Sequence, residues 1–73
     1  MLKKRSFSLS GHRTSVALEA EFWVVLETEA RQLGIALAAL VGQIDTARGE
    51  RNLASAMRVH ALKRAGEKAQ PRN

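Results

Sequence analysis

The chain has 73 residues, room for one domain at most, and a chain of that size buries only about 60% of the surface its unfolded form exposes. It contains no cysteine, which excludes disulfides and Cys-ligated zinc as staples and leaves helix packing or a second subunit to complete the core. A formal net charge of +5 points to a polyanionic partner.

Residues 1–12 open with Lys3, Lys4 and Arg5 and read as a basic N-terminal arm. Phe7, Leu9, Thr14, Val16 and Leu18 then alternate with Ser6, Ser8, Arg13, Ser15 and Ala17, a period of two that suits a strand with one buried face. Gly11 and His12 interrupt the pattern. A strand is expected over residues 13–18, and whether residues 6–9 add another is left open. A lone strand leaves backbone groups unpaired, so it needs either a hairpin through Gly11 and His12 or the same strand from a second subunit.

The period changes at Glu19, which predicts a helix over residues 19–33 with Phe22, Leu26, Ala30 and Leu33 as its apolar stripe. Trp23 points about 100° away from Phe22 and is read as packing on the ribbon or on a partner. Gly34 is the expected stop. A second helix is expected over residues 37–48, with Leu37, Leu40, Val41 and Ile44 facing inward and Gly49 ending it. Asn52 is a good N-cap for a third helix over residues 52–66, with Leu53, Ala56, Met57 and His60 at helical spacing. Residues 67–73, with Pro71, read as a flexible tail.

Charge is segregated. The first eighteen residues carry no acid, Glu19, Glu21, Glu27 and Glu29 make the first helix acidic, and Arg51, Arg58, Lys63, Arg64, Lys68 and Arg72 make the C-terminal part basic. This favours an anion-binding surface built from the ends. Arg51, Arg58, Lys63 and Arg64 suit a second phosphate-facing surface and a solvated helix face equally well. His12 reads as a turn residue and His60 as a boundary core residue, and two distant histidines without cysteine give no metal-ligand spacing. Glu27 and Arg31 form an ordinary i, i+4 pair, and no nucleophile, phosphate loop or acid–base constellation points to catalysis or a cofactor. The longest weakly polar run, residues 33–42, is about half of the roughly 20 residues a membrane crossing requires. Residues 6–15 offer no apolar core for a signal peptide, so a cytoplasmic protein is expected.

The strand RTSVALE, the Phe22–Trp23 pair and the stretch NLASAMR stand in an order that resembles the ribbon-helix-helix DNA-binding family, the Arc/MetJ-like class. The likeness extends over residues 4–64 and is greatest to a short bacterial subgroup with an extra C-terminal helix. It implies a mainly α fold with a short N-terminal β-strand. Two chains would form an intertwined homodimer with an intersubunit antiparallel β-ribbon, and a third helix would follow. It further implies that the ribbon enters the major groove of double-stranded DNA, with Arg13, Ser15 and Ala17 contacting bases and Thr14, Val16 and Leu18 facing the helices. Phosphates would be held by Lys3, Lys4 and Arg5 as an arm and by the helix start at Ile35 and Ala36. There Gly34-Ile35-Ala36 lacks the hydroxyl common in the family. The implied function is sequence-specific binding by a transcriptional repressor or an antitoxin-like autoregulator, nucleoid-associated when bound, with a second protein partner left open. The alternative is a dimeric protein-interaction module with weak or lost DNA binding, suggested by the apolar Ala17 and Ala36.

Overall fold

The alternation at the N-terminus resolves into two strands of equal length, β1 (Leu2–Leu9) and β2 (His12–Glu19), in the computed structural model, which describes residues 1–69. Ser10 and Gly11 join them with φ of 51° and 81°. Two successive positive φ values are what a type I′ turn demands, and its twist matches that of the flanking strands. Glycine adopts this conformation freely, whereas Ser10 does so at a steric cost. The register runs from Leu9 opposite His12 to Leu2 opposite Glu19.

The open question over residues 6–9 is thereby answered, since they belong to a strand that begins at Leu2. The cationic stretch read as an arm lies within it. The ribbon strand has a partner in its own chain, the hairpin alternative of the two open above, and keeps one edge without a strand neighbour. The physical reason is the two-residue turn, which makes local pairing far cheaper in chain entropy than pairing with another molecule.

Three helices follow: α1 (Ala20–Leu33), α2 (Leu37–Ala47) and α3 (Leu53–Ala69). At the end of α1, Gly34 takes φ of 70° and its N–H reaches the carbonyls of Ala30 and Arg31, while the Ile35 N–H donates to Ala30 O at 3.0 Å. These bonds satisfy carbonyls that a helix end leaves free. Asn52 caps α3 as expected, its Oδ1 accepting from the Ser55 N–H at 2.7 Å. Of the tail expected over residues 67–73, residues 67–69 continue α3, and 70–73 lie outside the described residues.

The hairpin's inner face contributes Phe7, Leu9, Val16 and Leu18 to a core completed by Trp23, Leu26 and Ala30 of α1, Leu40, Val41 and Ile44 of α2, and Ala56, Met57 and Ala61 of α3. Leu18, Leu26, Leu40, Val41 and Met57 are fully enclosed, each burial contributing roughly 1.5–3 kcal/mol. One chain therefore covers its own strands. In α1 the inward aromatic is Trp23, with Phe22 only half-buried and Leu33 exposed, a correction to the expected stripe. The indole explains it: Nε1 donates to the carbonyl of Lys3 at 2.8 Å, and the ring packs on Phe7 with centroids 5.9 Å apart.

Polar ties cross from α1 to α3. His60 Nε2 lies 2.7 Å from Oε1 of the buried Glu29, and Arg64 Nη2 donates to Gln32 Oε1 at 2.7 Å. His60 is thus half-buried at the core's boundary and engaged, which spacing alone did not reveal.

Candidate nucleic-acid interface

Residues directly opposite in an antiparallel pair share a face, so the register sorts the hairpin into two. Lys3, Arg5, Phe7 and Leu9 of β1 lie with His12, Thr14, Val16 and Leu18 of β2 on the helix side. Lys4, Ser6 and Ser8 lie with Ala17, Ser15 and Arg13 on the other. On this outer face Lys4, Ser6, Ser8, Arg13 and Ser15 are exposed and Ala17 is half-buried, and at its open end the exposed Leu2 stands opposite Glu19. Ser6 Oγ and Ser15 Oγ lie 3.0 Å apart, one hydroxyl donating to the other and each keeping capacity for a ligand. Arg13 and Lys4 stand at opposite ends of the face and on different strands.

The three expected base-contacting residues, Arg13, Ser15 and Ala17, thus share one surface. The three cations grouped as a phosphate arm do not. Arg5 pairs with Glu27 and places its guanidinium carbon 5.0 Å from the centroid of the Trp23 ring, so it is pinned against α1. Lys3 and Lys4 both border a groove beside α1 with Arg5, Trp23 and Glu27. Only Lys4 joins the outer face. Alternation in a strand accounts for the division, because neighbouring side chains point to opposite sides.

Glu19 lies at the open end of the outer face, where an anion would repel phosphate. It is held by Arg58, whose Nε donates to Oε1 at 2.9 Å, and the same guanidinium lies 5.9 Å from the Phe22 ring centroid. That hydrogen bond, helped by one from the Glu19 backbone, holds the carboxyl below the ordinary carboxylate range. Among the cations considered for a second phosphate surface, Arg58 is engaged with Glu19 of β2 and Arg64 with Gln32 of α1, and Arg51 and Lys63 border a shallow groove of about 300 Å³ between α2 and α3.

At the start of α2 the structure alters the expected donors. The Ile35 N–H is taken by Ala30 O, while Ala39 and Leu40 both donate to Ala36 O. Among the described residues the N–H groups of Leu37 and Ala38 have no backbone acceptor, and no side chain caps the helix. Of the two residues expected here, the Ile35 N–H is thus occupied, whereas that of Ala36, like those of Leu37 and Ala38, has no backbone acceptor among the described residues. Among the described residues no helix is long and apolar enough to cross a membrane, and no group of three or more His, Asp or Glu could hold a metal ion.

A family model described as a ribbon-helix-helix domain matches residues 2–65, nearly the whole chain. No curated protein and no solved structure gives a significant match.

Proposed function

Since the chain belongs to the ribbon-helix-helix domain family, whose members are typically DNA-binding transcription regulators, we propose that it regulates transcription by sequence-specific binding of double-stranded DNA as a homodimer. It acts in the cytoplasm by occupying an operator, either as a repressor or as an antitoxin-like autoregulator. The observation that carries this reading is the outer face of the hairpin: Lys4, Ser6, Ser8, Arg13 and Ser15 take no part in the core and stand exposed on one side of a strand pair, where alternate side chains can reach the edges and walls of a duplex groove.

In that groove Arg13 donates two bonds to guanine O6 and N7, Ser15 donates to or accepts from a base edge, and Ala17 touches a thymine methyl. Lys4 and the free amides at the start of α2 hold phosphates and set the register of the protein on the duplex. Each strand of the hairpin also has one edge without a strand neighbour. The β1 edge follows a run of cations, Lys3, Lys4 and Arg5, which discourages pairing with a like strand, whereas β2 carries Arg13 as its one cation. The β2 edge is therefore the one that pairs with its counterpart about a two-fold axis.

Mobility shifts of the wild type and Arg13→Ala on a selected operator and on random duplex test the assignment. The variant loses about 1–3 kcal/mol of operator binding per Arg–guanine contact and much less on random DNA. Equal losses on both contradict it. A second reading, a dimeric protein-interaction module, is favoured by the apolar Ala17 at the ribbon's reading positions, and failure to retain any DNA at low salt would select it.

A further inference from the structure

The match to the family covers β1 as well as β2, and the outward residues of the two strands can be compared as sets. Their chemistry differs from that of β2. Outward from β1, beyond the exposed Leu2 at its start, stand one ammonium and two hydroxyls, Lys4, Ser6 and Ser8, which are phosphate donors, with no acid among them. Outward from β2 stand a guanidinium fork, a hydroxyl and a methyl, which suit base edges, and at the strand's end Glu19, which Arg58 holds.

Geometry separates the two strands in the dimer proposed above, on which this inference rests. Strands lie about 4.7–4.9 Å apart, so two β2 strands paired about a two-fold axis each sit about 2.4 Å from the middle, and each flanking β1 sits about 7 Å from it. The major groove is about 12 Å wide, which puts its walls about 6 Å from the middle. The β2 strands therefore lie over the groove floor and the β1 strands over the sugar–phosphate walls. We infer that β1 is a phosphate-gripping strand: Lys4 and Ser8 of each subunit hold the two walls of the groove that the paired β2 strands read.

Lys4 has no ion-pair partner among the described residues and lies on the outer face, whereas Lys3 and Arg5 lie on the helix side, where Arg5 is occupied by Glu27 and Trp23. Ser6 shares its hydroxyl with Ser15 and links the gripping strand to the reading strand. Because Lys4 and Ser8 are exposed and outside the core, replacing them leaves the fold intact, which circular dichroism verifies.

The test is the salt dependence of binding, measured by fluorescence anisotropy on the selected operator and on random duplex, for wild type, Lys4→Ala, Lys4→Arg, Ser8→Ala and Lys3→Ala. Loss of one phosphate contact per subunit flattens the slope of log K against log salt by about 2 per dimer. The inference requires that flattening in Lys4→Ala, with the same fold-loss on both DNAs, an unchanged preferred sequence, and recovery in Lys4→Arg. Ser8→Ala should weaken both DNAs without changing the slope, and Lys3→Ala should change neither. An unchanged slope in Lys4→Ala, an altered base preference in that variant, or an equal flattening in Lys3→Ala would overturn it while leaving DNA binding by the ribbon in place. A wild type without DNA affinity at low salt would instead overturn the DNA-binding reading, and this inference with it.

Discussion

The two faces of one hairpin share a backbone and a register, but their residues are held by different physics. On the helix side, Phe7, Leu9, Val16 and Leu18 are enclosed by three helices, and even the cation on that side, Arg5, is fixed by Glu27 and the Trp23 ring. On the other side, Lys4, Ser8 and Arg13 have no side-chain partner among the described residues. A strand pair can thus carry a stability-determining face and a ligand-determining face that vary independently, because successive side chains never share a side. Substitution on the first face should change folding, and substitution on the second should change binding alone.

The largest effect is expected at the centre of the inner face. Leu18→Ala removes a fully enclosed side chain and should cost about 2–5 kcal/mol in urea unfolding, enough to unfold much of so small a domain. Trp23→Phe keeps an aromatic ring but leaves the Lys3 carbonyl without the indole donor, and should cost roughly 1–3 kcal/mol by the same measurement. At the turn joining the faces, Gly11→Ala puts a Cβ at φ of 81° and should cost about 1–2 kcal/mol, while Ser10→Asn, which favours the type I′ conformation, should raise the melting temperature slightly.

The tie between Glu19 and Arg58 yields a pH dependence. Its carboxyl is lowered in the fold, so the stability it contributes is fully present above the ordinary carboxylate range and disappears as pH falls through the folded value. Glu19→Gln should therefore lose part of the wild type's acid sensitivity in thermal melts below about pH 5. The smallest stability effect belongs to the outer face, where Arg13→Ala and Ser15→Ala should fall within about 0.5 kcal/mol of wild type. A large stability loss at either position would erase the distinction between the faces.

Much of this division was legible in the alternation itself, since Val16 and Leu18 inward with Arg13 and Ser15 outward follow from a period of two. The helix ends were legible for equally local reasons, Gly34 through its left-handed conformation and Asn52 through its side-chain cap. What escaped depends on contacts distant in sequence. Spacings of 22, 26, 30 and of 23, 26, 30 both fit a helix, and the choice between Phe22 and Trp23 is made by a carbonyl of β1 twenty residues away. The cluster Lys3-Lys4-Arg5 reads as a solvated arm because charge masks the alternation beneath it. Only pairing with β2 shows that Lys4 points outward while its neighbours point toward α1. The Glu29–His60 tie had no signal in spacing, as it joins helices whose relative placement the sequence does not state.

The central claim is that the outer face of the ribbon reads duplex DNA as a two-fold dimer. Selection of bound fragments from a random duplex pool tests it most directly. Wild type should recover a palindrome with two half-sites, and Arg13→Ala should lose preference at one symmetric pair of positions. Recovery of no enriched sequence at low salt, or of the same sequence by Arg13→Ala with undiminished preference, would contradict the claim.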